Sequence, residues 1–284
     1  MFHKAPSTYV GGVTLNVMDI DRSLQFYKEM IGFQVLNHRS GAVELTADGV
    51  TPLLTLYQPE EAQPKQMHTT GLFHFALLLP KRADLGRVLH HLAEKRVPIG
   101  SSDHLVSEAI YLNDPDGNGI EIYYDKPSST WTWQGEQVKM SVDPLDTKAV
   151  LEEGRGEAWN ELPKDTVMGH IHLQVSELRE VETFYTEGLG FEVVNRFGNQ
   201  ALFLSTEGYH HHIGLNTWNS LGGSKPSEKS VGLQSFELIY PSNEKLQETV
   251  FNLRKVGAEV VEEGAIVRTE DPSGNRMYLK VAFV

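Results

Sequence analysis

The sequence predicts an α+β fold of four βαβββ modules that pair into two barrel-like cups. Two observations lead to this prediction: the chain repeats itself, and each repeat reads as a strand, a helix and then further short strands. A single module would form a curved sheet that is too open to bury its inner face alone, so modules must pair. Each closed cup then offers a concave surface that can hold a ligand.

The first module, residues 10–58, defines the pattern. Its residues predict a strand over 12–17, a helix over 23–31 and three strands over 33–38, 42–47 and 52–58. The third module, residues 167–218, repeats it, because GGVTLNVMDIDRSLQFYKEMIGF aligns with GHIHLQVSELREVETFYTEGLGF at strand, aromatic and glycine positions. So many matched core positions indicate a duplication.

A second pair of modules, residues 70–125 and 230–283, is related in the same way. GLFHFALLLPKRADLGRVLHHL aligns with GLQSFELIYPSNEKLQETVFNL, and the modules end in the related segments NDPDGNGIEIYY and EDPSGNRMYLKV. The stretch between the second and third modules has little periodicity and predicts a long connection with one helix near residues 148–153. The predicted divisions are residues 1–125, 126–166 and 167–284.

Composition excludes several classes of function. The formal charge of −13 argues against a polyanionic partner such as nucleic acid. The absence of cysteine excludes disulfides, thiolate metal sites and cysteine nucleophiles. The N-terminal MFHKAPSTYV lacks the apolar core of a signal peptide, and no apolar run reaches the length of a membrane span. We therefore expect a soluble, cytoplasmic protein without a membrane partner.

The most informative stretch is SDHLVSEAIYLNDPDGNGIEIY, residues 102–123. A strand runs into the turn-forming DPDGNG segment, and the return strand places Glu121 on the face opposite to the isoleucines beside it. A carboxylate in this position is either a solvated strand residue or a buried ligand for a cation.

The chain has twelve histidines, and their positions favour the ligand interpretation. His74 lies in the first strand of the second module and His170 in the first strand of the third, while three consecutive histidines lead into the last strand of the third module. The remaining histidines near chain ends, turns and a helix are expected on the surface: His3, His38, His68, His90 and His91.

The potential ligands are distributed unevenly over the repeated scaffold. The fourth module has Ser235 and Tyr278 where the second has His74 and Glu121, as expected for a single site in a duplicated framework. Two imidazoles and one carboxylate form the facial triad that leaves open positions for substrate and dioxygen on non-haem Fe(II), and they would also accept Mn(II) or Zn(II). Burying a carboxylate without a partner costs several kcal/mol, so packing alone is a poor explanation.

These motifs resemble the vicinal-oxygen-chelate superfamily, with its glyoxalase/bleomycin-resistance/dioxygenase fold, and within it the type I extradiol ring-cleavage dioxygenases. The likeness covers nearly the whole chain, includes GHIHLQV, DHLVSEAIYLNDPDGNGIEIY and YHHHIGLNTW, and is greatest to the bacterial catechol-2,3-dioxygenase group. The resemblance implies that iron is held by a first-strand histidine of one module and by a histidine and a glutamate of its partner module. Carried over, these ligands are His170, His74 and Glu121.

The resemblance also implies three residues that act on the substrate, the third of which has two candidates. A tyrosine ten residues before the ligand glutamate corresponds to Tyr111, and an upstream histidine corresponds to His104, although the loop between them is shorter than in the family. An acid/base histidine is expected at the start of the last strand of the third module. Strand alternation favours His212 and the family spacing favours His211, so both remain candidates.

The order of the modules departs from the family. Many members carry the ligands in modules three and four, whereas here they lie in modules two and three. Only pairing of module two with module three, and of one with four, would bring the triad into one cup.

The function implied by the resemblance is extradiol cleavage of a catechol-like ring with Fe(II), or alternatively Mn(II), and dioxygen as co-substrate, in the breakdown of aromatic compounds. The partner would be a small aromatic diol, and assembly into a homo-oligomer is left open. Three alternatives remain. A hydroquinone-cleaving dioxygenase would use the same triad. A glyoxalase-like isomerase or thiol transferase would usually hold a second carboxylate, which the third module does not offer. A non-enzymatic binding module would need no metal.

Overall fold

The computed structural model describes residues 2–264 and 266–282, and each module contains the predicted strand, helix and three further strands. The first module consists of β1 (Tyr9–Asn16), α1 (Ile20–Phe26), β2 (Gln34–Arg39), β3 (Ala42–Thr46) and β4 (Leu54–Tyr57). The second consists of β5 (Gly71–Leu78), α2 (Arg82–Glu94), β6 (Gly100–Asp103), β7 (Ser107–Asn113) and β8 (Gly119–Asp125). The third consists of β11 (Val167–Gln174), α4 (Arg179–Thr183), β12 (Glu192–Phe197), β13 (Ala201–Ser205) and β14 (Ile213–Asn216). The fourth consists of β15 (Gly232–Tyr240), α5 (Asn243–Lys255), β16 (Val260–Glu263), β17 (Ile266–Glu270) and β18 (Arg276–Val281).

The connection between the second and third modules is more structured than its sequence indicates. It contains a short hairpin of β9 (Trp133–Gln134) and β10 (Gln137–Val138), a 3₁₀ turn (Ser128–Thr130) and α3 (Thr147–Glu153). The helix agrees with the prediction for residues 148–153. Strands of two residues are too short to produce an alternating pattern, which is why the hairpin was not predicted.

Two eight-stranded sheets form the two cups. One sheet has the order β12-β13-β14-β11-β5-β8-β7-β6 and joins modules three and two, so we call it the 2–3 cup. The other has the order β16-β17-β18-β15-β1-β4-β3-β2 and is called the 1–4 cup. The first strands of paired modules meet antiparallel at the centre of each sheet. The predicted pairing of two with three and one with four is therefore confirmed.

The long helices pack on the sheets through one apolar face. The buried apolar residues of α2 are Leu85, Val88, Leu89 and Leu92, which follow the i, i+3, i+4, i+7 spacing of one helical face. In the α2 interior, Gly86 allows α3 to approach closely, because a Cβ there would lie 2.2 Å from the Val150 carbonyl oxygen. No helix of residues 2–264 and 266–282 is long and apolar enough to span a membrane.

The N-terminal segment crosses to the third module, and the prediction that His3 is a surface residue is wrong. His3 is partly buried, and its Nε2 lies 2.8 Å from the Gly169 carbonyl oxygen. Since a carbonyl only accepts, His3 donates from Nε2. Its ring also lies against Tyr209 and His212, with centroid distances of 5.0 and 5.4 Å.

Acid should weaken this N-terminal contact. Burial lowers the pKa of His3 to about 4, although the Gly169 carbonyl and Asp125 act in the opposite direction; His210 and His170 lower it further. The folded chain therefore resists a proton that the unfolded chain accepts, so stability is complete above pH 6.5 and falls between pH 6.5 and about 4. The loss attributable to His3 at pH 5 is about 2 kcal/mol.

Urea unfolding of wild type and His3→Gln at pH 7 and pH 5 measures this contribution. We expect the free energy of unfolding to fall by about 2 kcal/mol less in the variant than in wild type between these two pH values. Equal falls in the two proteins would show that His3 does not cause the acid sensitivity.

Candidate active site

Three side chains from three neighbouring strands meet in the 2–3 cup: His74 of β5, Glu121 of β8 and His170 of β11. The register explains their convergence, since Ala76 of β5 lies opposite both His170 and Glu121. His74 Nε2 is 3.0 Å and His170 Nε2 is 3.2 Å from Glu121 Oε2, and the two Nε2 atoms are 3.4 Å apart. All three residues are buried. The predicted pairing of modules two and three depends on the distance between His170 and Glu121, and the two side chains are in direct contact.

These three atoms fit a shared metal ion. Two imidazole nitrogens and a carboxylate oxygen at this spacing would present lone pairs to one another unless a proton or metal ion lies between them. Ligand atoms about 2.1 Å from one ion and at right angles to each other are about 3.0 Å apart, close to the spacings of this triad. The donor set is the two-histidine, one-carboxylate set that binds Fe(II), and it leaves one face of the ion open.

The electrostatics of the triad favour the protonation states that ligands need. Burial alone would raise the pKa of Glu121, but its interactions with His170 and His74 outweigh burial and hold that pKa well below its usual value. Burial also lowers the pKa of His170. A carboxylate beside a neutral imidazole can bind a metal ion without first losing a proton.

Tyr111 and His104 border the triad on the β7 side. Tyr111 lies opposite Glu121 in the β7–β8 pair, and its hydroxyl oxygen is 2.6 Å from His104 Nε2. His104 Nδ1 is 2.7 Å from the Ser141 carbonyl oxygen, which only accepts, so Nδ1 carries a proton, and in the neutral ring Nε2 accepts from Tyr111. Burial and the Glu121 carboxylate raise the pKa of Tyr111 well above its usual value, which keeps the hydroxyl protonated. Ser141 belongs to the connection between the second and third modules, so this segment contributes to the site.

The two candidate acid/base histidines have different neighbours. The His211 ring centroid is 4.2 Å from that of His170. By contrast, His212 Nε2 is 2.9 Å from the Phe2 carbonyl oxygen and its Nδ1 is 3.4 Å from the Thr206 backbone nitrogen. Both nitrogens of His212 therefore bond to backbone groups, and only His211 contacts the triad.

His172 also borders the triad, although its position in the sequence predicted no role for it. Its ring packs edge-on against that of His74, with centroids 5.0 Å apart. Gly214 makes room for it, because a Cβ there would lie 2.9 Å from the His172 ring. The signal was present in GHIHLQV, where His172 is two positions after His170 and so shares its strand face.

Asp125 and His210 form hydrogen bonds that lead to His211, and the sequence pattern did not single them out. His210 Nε2 lies 2.7 Å from Asp125 Oδ1, and its Nδ1 lies 2.9 Å from His211 Nδ1. Asp125 is four residues after Glu121 on β8, so the alternation of this strand could have identified it.

Space for a small ligand adjoins the triad. A cavity of about 470 Å³ opens beside His74 and Tyr111 and is bordered by Phe73 and Ile99. Cavities of this size with apolar walls and a few polar groups are typical small-molecule sites.

Comparisons with known proteins agree with this arrangement. Residues 9–122 and 167–279 match the family model described as Glyoxalase/Bleomycin resistance protein/Dioxygenase superfamily. Catechol-2,3-dioxygenase of Bacillus subtilis (strain 168) is 43% identical over 268 residues, which is 93% of this chain and 94% of that protein. Biphenyl-2,3-diol 1,2-dioxygenase 3 of Rhodococcus globerulus is 30% identical over 107 residues, covering 36% of this chain and 55% of that protein.

Solved structures show the same fold at low sequence identity. Glyoxalase I from Zea mays superposes with a TM-score of 0.59 at 15% identity, covering 96% of this chain and 92% of that one. The cppA protein from Streptococcus pneumoniae TIGR4 superposes with a TM-score of 0.57 at 10% identity, covering 97% of this chain and 100% of that one. At these identities the likeness concerns the fold alone.

Proposed function

This chain belongs to the Glyoxalase/Bleomycin resistance protein/Dioxygenase superfamily and, within it, to the catechol-2,3-dioxygenase family of ring-cleavage dioxygenases, and we propose that it opens a catechol-like ring by extradiol cleavage with Fe(II) and dioxygen. The observation that carries this proposal is the convergence of His74, Glu121 and His170 in a single cup, beside a cavity of about 470 Å³.

The metal ligands in this proposal are His74 Nε2, His170 Nε2 and Glu121 Oε2. Iron held there would supply a Lewis acid for the two substrate oxygens and the redox chemistry for the reaction of the substrate with dioxygen. The protein's own contribution is then to bind the ring, orient it and manage its protons.

His211 is suited to accept the proton of one substrate hydroxyl. Burial lowers the pKa of His211 well below its usual value, and neighbouring histidines add to this effect, so without substrate the ring is neutral near pH 7 and has a free lone pair. The negative charge left on the substrate oxygen would then stabilise the protonated ring. On proton transfer the substrate O–H bond breaks and an N–H bond forms on His211, and the same proton can later return to a product oxygen. Such acid/base assistance contributes about 10²- to 10⁴-fold in rate.

Tyr111 and His104 would orient the other side of the substrate. Because the Tyr111 hydroxyl donates to His104 Nε2, its oxygen remains free to accept a hydrogen bond from a substrate hydroxyl. The Ser141 carbonyl holds His104 in the tautomer that accepts from Tyr111. The wall of the cavity at Phe73 is suited to stack against a planar ring.

Anaerobic loading with Fe(II), followed by a panel of catechols in the presence of dioxygen, tests this function. We expect about one iron per chain and a yellow ring-opened product from at least one catechol. A hydroquinone and the glutathione adduct of methylglyoxal, tested in parallel, represent the two enzymatic alternatives. Iron binding without product from any catechol would contradict the proposed reaction, and protein that takes up no metal would favour a binding module.

A further inference from the structure

We propose that Asp125 and His210 act as positioning residues that fix which nitrogen of His211 carries its proton. The kinetic consequence of this inference rests on the proposed ring cleavage, whereas the state of the His211 ring does not. Neither residue forms a hydrogen bond to the triad, although the His210 ring lies edge-on to that of His170 at a centroid distance of 6.4 Å. Their effect passes through a chain of hydrogen bonds that ends at His211.

The chain of hydrogen bonds begins on the strand that carries Glu121. Glu121, Tyr123 and Asp125 occupy alternate positions of β8, so their side chains share the concave face of the cup. Asp125 Oδ1 is 2.7 Å from His210 Nε2, and His210 Nδ1 is 2.9 Å from His211 Nδ1. His210 has no exposed surface, so its two nitrogens have no access to water.

The direction of these hydrogen bonds follows from the acceptor at their origin. An ionised carboxylate can only accept, so His210 must donate from Nε2 to Asp125. In a neutral His210 ring Nδ1 then has no proton and can only accept. His211 must therefore donate from Nδ1, and its Nε2, on the opposite edge of the ring, is left with a lone pair. That is the form a base needs.

Two tyrosines hold Asp125 in its role as acceptor. The Tyr209 hydroxyl donates to Asp125 Oδ2 at 2.9 Å, and the Tyr123 hydroxyl oxygen is 2.7 Å from that of Tyr209. Since Tyr209 uses its only proton on Asp125, Tyr123 must donate to Tyr209.

Aromatic rings surround His210, and one end of the hydrogen-bonded network is accessible to solvent. The His210 ring lies tilted over that of Tyr209, with centroids 4.0 Å apart, and meets the Trp131 ring edge-on at 5.2 Å. The Asp125 side chain is 20% exposed and borders a second cavity of about 640 Å³. Asp125 thus contacts solvent at one end of a network whose two imidazole rings are buried.

Nuclear magnetic resonance of ¹⁵N-labelled histidine rings measures directly which nitrogen of His211 carries the proton. In zinc-loaded full-length protein with ¹⁵N-labelled histidine rings, the His211 signals are assigned by their loss in His211→Gln. Zn(II) accepts the same types of ligand and is diamagnetic. We expect the proton on Nδ1 in wild type. A wild-type His211 with its proton on Nε2 overturns the proposal without any variant.

Asp125→Leu removes the acceptor at the origin of the hydrogen bonds. A buried N–H without a partner is less tolerated than a bare acceptor, so His210 should move its proton to Nδ1 and donate to His211. The His211 proton should then shift to Nε2, and kcat should fall by about tenfold to a hundredfold with KM nearly unchanged and metal content intact. His210→Phe, which keeps a ring in the stack, should also shift the proton and serves if Asp125→Leu fails to fold.

Trp131→Phe is the matched control, because it alters packing on the same His210 ring and leaves its two hydrogen bonds in place. We expect the wild-type tautomer and kcat within about twofold. An unchanged tautomer in both Asp125→Leu and His210→Phe overturns the proposal. Absence of ring cleavage in wild type would instead contradict the proposed function and leave the tautomer result standing.

Discussion

Glu121→Ala is expected to abolish metal binding and ring cleavage together. Glu121 supplies the only negative charge among the three triad side chains, and its Oε2 lies within 3.2 Å of both imidazole nitrogens. Without it, two neutral imidazoles would have to hold a divalent ion in a buried site with no charge compensation. Metal per chain after anaerobic loading and gel filtration should fall from about one to below about a tenth, and product formation should fall to background.

A carboxylate in the other cup provides the control for this variant. Glu237 of β15 lies opposite Tyr278, the residue that occupies the position of Glu121 in the fourth module. Glu237→Ala removes a charge from the same fold but from the cup without the triad, so metal content and turnover should equal those of wild type. Circular dichroism of both variants checks that they are folded. Full metal content in Glu121→Ala would show that Glu121 is not a ligand.

The architecture could be predicted because duplication makes the sequence internally redundant. Each module aligns with another at buried strand positions, so a strand or helix that is uncertain in one module can be checked against the aligned module. The pairing of modules followed from chemistry, since His74 and Glu121 lie in one module and His170 in another, and a metal site requires all three in contact. The 3.2 Å separation of His170 Nε2 and Glu121 Oε2 agrees with that reasoning.

The choice between His211 and His212 was not accessible from strand periodicity. Alternation from Gly214 favoured His212, but β14 begins only at Ile213, so the three consecutive histidines lie in irregular backbone where alternation does not apply. What determines the side of His212 is the N-terminal segment, whose Phe2 carbonyl accepts from it across 210 positions of sequence. Local patterns carry no information on a contact of that range.

The same limit explains why the hydrogen bonds behind the triad were missed. The partner of His104 is a carbonyl in the long connection, at Ser141, and a backbone acceptor leaves no trace in residue identity. Asp125 and Tyr209 meet across 84 positions, in modules whose pairing was itself an inference. Side chains of ordinary composition thus became recognisable as candidates for a role at the site only in the folded cup.

His211→Gln is expected to separate catalysis from metal binding. The His211 ring contacts His170 at a centroid distance of 4.2 Å but is not one of the three converging ligands, so iron content should be that of wild type. If His211 accepts and returns the substrate proton, kcat should fall by about 10²- to 10⁴-fold while KM changes little. His212→Gln is the matched comparison, because the neighbouring ring bonds to backbone of Phe2 and Thr206 and should affect stability rather than kcat. Steady-state oxygen uptake at equal iron loading measures the turnover of both variants. Equal turnover in the two would remove His211 from the proposed mechanism. A larger loss in His212→Gln would assign the proton transfer to His212.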